Sequence, residues 1–106
     1  MRKKVINALL DMGMPADIKG FRYITEIMCL YEESEKLVDG SLMKVYEAIA
    51  VQNETTVSRV ERAIRHAFSM VLQNENSELV KKYFSTSHKN NGALLATLYY
   101  RLKMEV

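Results

Sequence analysis

The sequence lacks most of the residues that cross-link, kink or interrupt a protein chain. One proline and four glycines among 106 residues leave little room for the many turns of a β-sandwich. Cys29 is the only cysteine, so an internal disulfide is impossible and a reducing cytoplasm is the expected location. No apolar run approaches the roughly 18 residues of a membrane span. The basic start, MRKK, is not followed by the apolar stretch and cleavage site of a signal peptide.

An excess of charge of one sign is also missing, because 15 basic and 13 acidic side chains leave a net charge of only +2. This balance does not by itself predict nucleic-acid binding, so the position of the positive charge becomes the relevant question. Hydrophobic residues are abundant, at 48%, beside 26% charged residues. That composition supports a hydrophobic core, and the length suits one domain that spans residues 1–106.

Apolar residues recur at helical spacing in six segments, and no stretch shows the pattern of a strand. The segments cover about 2–12, 18–33, 42–52 and 56–73, a short stretch that opens at Asn76 or Ser77, and a last stretch built on Leu94, Leu95, Leu98 and Leu102. The link EESEKLVDG can hold a short helical extension, and STSHKNNG is expected to be a loop. The prediction is an all-α fold, a single domain of about six helices.

Several residues mark the expected helix ends. Gly13 is expected to end the first helix, because glycine takes the left-handed conformation that follows many helices. Asp17, Ser41 and Thr55 are expected to cap the second, third and fourth helices, since their side-chain oxygens can accept hydrogen bonds from free amide groups.

The third and fourth segments predict a helix-turn-helix over about 42–73, because only about four residues, 52–55, join them. The turn lacks the glycine often found in this motif, and Asn53 tolerates the left-handed conformation better than most residues. The second helix of the motif would be the recognition helix. Its N-terminal half would then meet base edges in the major groove of DNA.

The fourth segment separates apolar from polar side chains. With its apolar residues turned inward, the following residues project outward: Ser58, Arg59, Glu61, Arg62, Arg65 and His66. The planar fork of arginine matches the O6 and N7 acceptors of guanine, and Glu61 can accept from the exocyclic amine of cytosine. The hydroxyls of Thr55, Thr56 and Ser58 lie at the helix start, where free amide groups also suit a phosphate.

A second interpretation of the same stretch is an ordinary solvated helix face. Arginines three residues apart are also typical of such a face, and Glu61 could pair with Arg65 four residues on. Spacing alone leaves both interpretations open, because a basic stripe is only an electrostatic footprint.

Two runs of residues also resemble a known family. The stretch from residue 17 to residue 68 resembles the C-terminal effector domain of the stage 0 sporulation protein A family, most specifically in IKGFRYI at 18–24 and SRVERAIRHA at 58–67. The resemblance extends over about 5–104. Members of this family normally also carry an N-terminal phosphoacceptor receiver domain, which these 106 residues do not contain.

The resemblance implies an all-helical domain that binds a short promoter box in double-stranded DNA, with domains head to tail on adjacent boxes. It implies that Arg59, Glu61 and Arg62 read bases, and that Arg65 and His66 make supporting contacts to the groove or to phosphates. The family contacts the RNA polymerase sigma factor near the segment after this helix, where QNENSELVKKYFSTSHKNN departs from the family sequence.

Other functions find less support in the residues. No nucleophile–base pair and no Gly-rich phosphate loop appears, so no enzymatic activity and no cofactor is expected. His66 and His88 do not form a metal-ligand spacing with each other or with Cys29, so no metal site is expected. The main alternative is a receiver-less interaction module that binds a sigma factor or a full-length relative and modulates it.

Overall fold

Helices account for most of the described chain. The structure is a computed structural model that describes residues 1–74, 77–84 and 90–105. Within those ranges the chain forms no strand and six α-helices: α1 (Arg2–Asp11), α2 (Lys19–Glu33), α3 (Leu42–Gln52), α4 (Val57–Leu72), α5 (Glu78–Tyr83) and α6 (Asn91–Met104). A 3-10 helix at Glu35–Asp39 occupies the link between α2 and α3, where the sequence allows a short helical extension. The predicted all-α fold of about six helices is confirmed.

Two of the predicted helix ends are confirmed in detail. Gly13 has a φ of 88° and follows the end of α1. Its amide donates to the Leu10 carbonyl at 2.9 Å, and the Met14 amide donates to the Leu9 carbonyl at 3.0 Å. These two bonds satisfy carbonyls that the helix end would otherwise leave free. At the start of α3, the Ser41 hydroxyl accepts from the Lys44 amide at 3.4 Å.

Two predicted caps are wrong by one residue. Ile18 holds the N-cap position of α2 and no side chain caps that helix, so Asp17 is one position too early. α4 is capped by Thr56, whose hydroxyl accepts from the Arg59 amide at 3.2 Å. Thr55 instead donates its amide to the Ala50 carbonyl at 2.9 Å and thereby closes the end of α3. Periodicity places a helix along the chain, but it does not fix the residue at which the helix begins.

The last two helices also begin at capping residues. Ser77 caps α5 by accepting from the Val80 amide at 3.4 Å, whereas Asn76 lies outside the described residues. The Asn90 side chain accepts from the Ala93 amide at 2.9 Å and starts α6 at Asn91. The predicted loop of residues 85–92 therefore extends two residues too far, and its part at 85–89 lies outside the described residues.

α2 and α4 cross at unusually short range. A Cβ atom added to Gly20 of α2 would lie 2.3 Å from the Ala63 carbonyl oxygen and 2.6 Å from the Ala67 Cβ of α4. Glycine and two alanines thus allow the two backbones to approach. Because α4 rests directly on α2, its opposite face is left toward solvent.

One hydrophobic core lies between the helices. It includes the last-helix leucines predicted from the sequence, and its largest fully buried side chains come from five helices and the link after α1: Leu9, Met14, Ile24, Ile27, Met28, Ile49, Ile64, Phe68, Leu94, Leu95, Leu98 and Leu102. The radius of gyration of 12.6 Å is close to the roughly 13 Å expected of a single domain of this length. None of the helices in the described ranges has the length and apolar character that crossing a membrane requires.

Candidate nucleic-acid interface

The turn between α3 and α4 contains a residue in a left-handed conformation. That residue is Glu54, with a φ of 52°, and not Asn53, whose φ is −108°. The Glu54 amide donates to the Val51 carbonyl at 3.3 Å, and the next amide, of Thr55, donates to the Ala50 carbonyl at 2.9 Å. This pair of bonds is the same closure that Gly13 makes after α1, but here a glutamate occupies the glycine position. The prediction for Asn53 is therefore wrong by one residue.

Asn53 serves a different purpose, because its side chain anchors the turn to α2. Its Nδ2 donates to Glu26 Oε2 at 2.7 Å and to the Ile49 carbonyl at 2.9 Å. The neighbouring Gln52 donates from Nε2 to Glu26 Oε1 at 3.3 Å. Both oxygens of one carboxylate thus receive donors from the turn, which limits the movement of α4 relative to α2. Nothing in the local sequence around Glu26 indicates a partner 26 or 27 residues away.

α4 divides into a buried face and an exposed face. The buried face consists of Val60, Ile64, Ala67, Phe68 and Val71, each no more than 2% exposed. Val57, which the sequence also predicts to point inward, is only half-buried at the first turn. The separation follows the helical spacing of the apolar residues over the whole length of the helix.

The predicted site residues lie on the outer side of this helix or at its start. Ser58, Arg59, Arg62, Arg65 and His66 are exposed, as is Thr56, whereas Thr55 and Glu61 are partly buried. Three of them, Arg62, Arg65 and His66, line an open depression of about 540 Å³ together with Ser69. The structure therefore places all eight predicted residues along one continuous surface that runs from the turn to the middle of α4.

Glu61 forms an ion pair within this surface. Its Oε1 lies 3.2 Å from Nη1 of Arg65, one helical turn further on. This is the Glu61–Arg65 pair that the solvated-face interpretation predicts. Exposed pairs of this kind contribute only about 0.3–0.5 kcal/mol to stability. A carboxylate has several acceptor positions, so pairing with Arg65 leaves Glu61 able to accept from a base as well.

Tyr46 of α3 lies beneath this ion pair. Burial raises the pKa of its hydroxyl above the ordinary value. A hydrogen bond from Asn91 and the positive charge of Arg65 oppose that rise in pKa, whereas the negative charge of Glu61 adds to it. The Tyr46 hydroxyl therefore stays protonated at neutral pH. Its contact with Asn91 shows that α6 also reaches the base of this surface, which the sequence did not reveal.

The described residues contain no group of three His, Cys, Asp or Glu side chains arranged to hold a metal ion. His66 lies on the exposed face of α4, and Cys29 lies partly buried on α2. His88, the other histidine considered from the sequence, falls outside the ranges that the structure describes.

Two helices joined by a tight turn, the second with an exposed basic face, form the helix-turn-helix arrangement that many DNA-binding domains use. The family is more specific than this arrangement. Residues 5–102 match the family described as "Sporulation initiation factor Spo0A C terminal". The chain therefore belongs to that family, which is the DNA-binding effector domain of a sporulation regulator and not a family of enzymes. The resemblance found in the two sequence runs is confirmed.

Proposed function

We propose that this chain is a sequence-specific DNA-binding transcription regulator of the cytoplasm that inserts α4 into the major groove of a promoter box. The observation that supports this most strongly is the division of α4 into two faces. Its inner face is anchored in the core, and its outer face presents arginines from the first three turns. A rigidly held helix with exposed donors is what direct readout of bases requires.

In this proposal Arg59, Glu61 and Arg62 read the bases. All three belong to the N-terminal half of α4, which is the part of a recognition helix that faces base edges. The arginine side chains would donate to the O6 and N7 atoms of guanine, and Glu61 would accept from the amine of cytosine. One good bidentate contact of this kind is worth about 1–3 kcal/mol of discrimination between bases.

The remaining predicted residues would hold the DNA backbone. Thr55, Thr56 and Ser58 surround the start of α4, where the first amide groups of the helix point outward. The Thr56 hydroxyl oxygen accepts a hydrogen bond from the Arg59 amide. The hydrogen of the same hydroxyl is free to be donated to a phosphate. Arg65 and His66 would add cationic or hydrogen-bonding contacts further along the groove.

Protein partners form the second part of the proposal. A sigma factor of RNA polymerase would contact the segment after α4, and a second copy would bind head to tail on an adjacent box. Exposed apolar side chains favour such contacts: Leu79 of α5, in the segment after α4, is 40% exposed, and Val51 beside the turn is 80% exposed. These same residues favour the alternative, a receiver-less module that binds a sigma factor or a full-length relative without DNA.

A binding selection from random duplexes, followed by gel-shift titration of the selected box, tests the proposal. Arg59→Ala and Arg62→Ala should each weaken specific binding by about 1–3 kcal/mol and relax one base preference. Arg101→Ala is the matched control, because it removes the same charge from the exposed end of α6. Equal affinity of wild type and both α4 variants for the box would contradict the proposed readout.

Salt dependence separates the two candidate functions. A DNA-binding regulator loses affinity steeply as salt rises, because its cations displace counterions from the phosphates. Co-purification with a sigma factor or a full-length relative, without any salt-dependent affinity for DNA, would instead support the interaction module.

A further inference from the structure

Two buried polar side chains are found in the described chain, Thr25 and Asn91. The Thr25 hydroxyl donates a hydrogen bond to the Phe21 carbonyl at 2.8 Å. Both residues belong to α2, so this bond does not link two helices. Asn91 is the first residue of α6 and is 9% exposed. Its Nδ2 donates to the Tyr46 hydroxyl at 3.1 Å and to the Glu61 carbonyl at 3.2 Å. One amide group therefore links three helices.

Both acceptors of Asn91 belong to the elements that would meet DNA. Tyr46 is on α3, the first helix of the motif, and Glu61 is on α4, the second. The Glu61 carbonyl can accept this additional bond, because a backbone carbonyl has two lone pairs and the helix uses only one. The two bonds of Asn91 thus fix the spacing between α3 and α4 at the level of the predicted base readers.

We propose that Asn91 is a positioning residue for DNA recognition, which holds the start of α6 against α3 and α4 so that Arg59, Glu61 and Arg62 keep their placement. This inference rests on the proposed function. Recognition is sensitive to such support, since a binding site has to be held within about 0.5 Å of its productive geometry. The donor hydrogens of Asn91 are buried, so water cannot easily replace the lost bonds.

The neighbouring Asn90 offers a matched control for loss of stability. Its side chain caps α6 by accepting from the Ala93 amide, and it is exposed. Asn90→Ala should therefore weaken the start of α6 without removing a bond to α3 or α4. Asn91→Ala removes both bonds to those helices and leaves the cap in place. Tyr46→Phe is a milder third variant, because it deletes one acceptor and keeps the buried ring.

The first measurement is DNA binding by the full chain, with all variants compared at a temperature at which thermal unfolding shows them to be folded. Asn91→Ala should weaken binding to the selected box about fivefold to tenfold, while binding to unrelated duplex and the salt slope stay unchanged. Tyr46→Phe should weaken box binding about twofold to fivefold. Asn90→Ala should lower the melting temperature and leave the preference for the box intact.

The second measurement needs no DNA. Amide hydrogen exchange should become about tenfold faster around residues 61–65 of α4 in Asn91→Ala, relative to α1. In Asn90→Ala the acceleration should be confined to α6. If Asn91→Ala fails to fold, Tyr46→Phe supplies both measurements.

The outcomes are distinguishable. If wild type shows no preference for any duplex, the proposed function fails, and exchange still decides whether Asn91 holds α4. If wild type binds its box and Asn91→Ala and Tyr46→Phe bind it as tightly as Asn90→Ala, the positioning role of Asn91 is overturned. Unchanged exchange in α4 of both variants would overturn it as well.

Discussion

α4 and α6 pack on the same core but present different surfaces to solvent. The exposed side of α4 carries Arg59, Arg62 and Arg65, whereas that of α6 combines Tyr100 and Met104 with Arg101 and with Lys103, which pairs with Glu35. A face dominated by arginines suits a polyanion better than one on which large apolar side chains share the surface with cations. Two helices with equally buried inner faces can therefore bind different partners, because the residues of the outer face do not have to pack in the core.

The two helices are also held in different ways. α4 touches α2 almost backbone to backbone at Gly20, and the turn before it is tied down through Glu26. α6 is fastened to the 3-10 helix, where Glu35 accepts from Tyr99 at 3.0 Å and from Lys103 at 2.5 Å. α4 therefore approaches a neighbouring backbone at Gly20, whereas α6, whose leucines are as deeply buried, has side-chain hydrogen bonds to other helices at both ends.

The largest expected effect comes from breaking the close approach of α2 and α4. Gly20→Ala should lower the free energy of unfolding by about 2–3 kcal/mol, because the new Cβ would lie 2.3 Å from the Ala63 carbonyl oxygen. Gly92→Ala in α6 is the control, since its Cβ would lie 3.4 Å from Leu42 Cδ2, at the edge of ordinary contact. Chemical denaturation measures both. Similar losses at the two glycines would show that α4 is not packed more tightly than α6.

A smaller effect, of opposite sign, is expected in the turn before α4. Glu54→Gly should raise the free energy of unfolding by about 1 kcal/mol, because glycine adopts a φ of 52° without the steric cost of a side chain. Glu54→Ala separates side-chain from backbone effects, since alanine keeps the Cβ. A glycine variant no more stable than the alanine variant would contradict a strained turn.

The ion pair on the outer face of α4 should matter less for stability than for recognition. Glu61→Gln removes the charge that pairs with Arg65 at 3.2 Å and should cost only about 0.3–0.5 kcal/mol of unfolding free energy. If Glu61 also reads a base, the selected box should change at one position. Thermal unfolding and a binding selection on the same variant measure the two effects. If the selected box is unchanged, Glu61 does not read a base and its role is limited to the ion pair with Arg65.

The smallest expected effect concerns α6 and depends on pH. Hydrogen bonds from Lys103 and Tyr99 lower the pKa of Glu35 below its ordinary value. The folded state therefore binds this proton less readily than the unfolded chain, so the stabilisation is present above the unfolded pKa, about 4.3, and is lost as pH falls below it. Glu35→Gln should flatten the decline of the melting temperature between about pH 5 and pH 3. Glu33→Gln, on the nearby end of α2, is the control and should decline like wild type.

Much of the fold could be predicted because its cause is local. The spacing of Val60, Ile64 and Phe68 predicts both a helix and its buried face, since 3.6 residues make one turn. Glycine at residue 13 likewise predicts the end of α1. The caps at Asp17 and Thr55 were predicted wrongly, because periodicity does not fix the residue at which a helix begins: α2 begins after the apolar Ile18, and α4 begins after the second of two adjacent threonines.

The parts of the site that escaped prediction depend on contacts between distant residues. Glu26 meets the turn 26 and 27 positions later, and Asn91 meets Tyr46 and Glu61 across 45 and 30 positions. No periodicity indicates such partners. The left-handed conformation of Glu54 is also hidden from its sequence, since glutamate has no preference for it.

By itself, the sequence determined that this chain is helical, that α4 has one apolar and one basic face, and which family it belongs to. These properties follow from the spacing of apolar residues and from two sequence runs that resemble the family, and neither depends on how the helices pack. Tertiary structure alone decided how α4 is held: by a glycine contact with α2, by Glu26 at the turn and by Asn91 from α6. The reason is physical, since a side chain finds its partner only after the backbone has brought remote segments together.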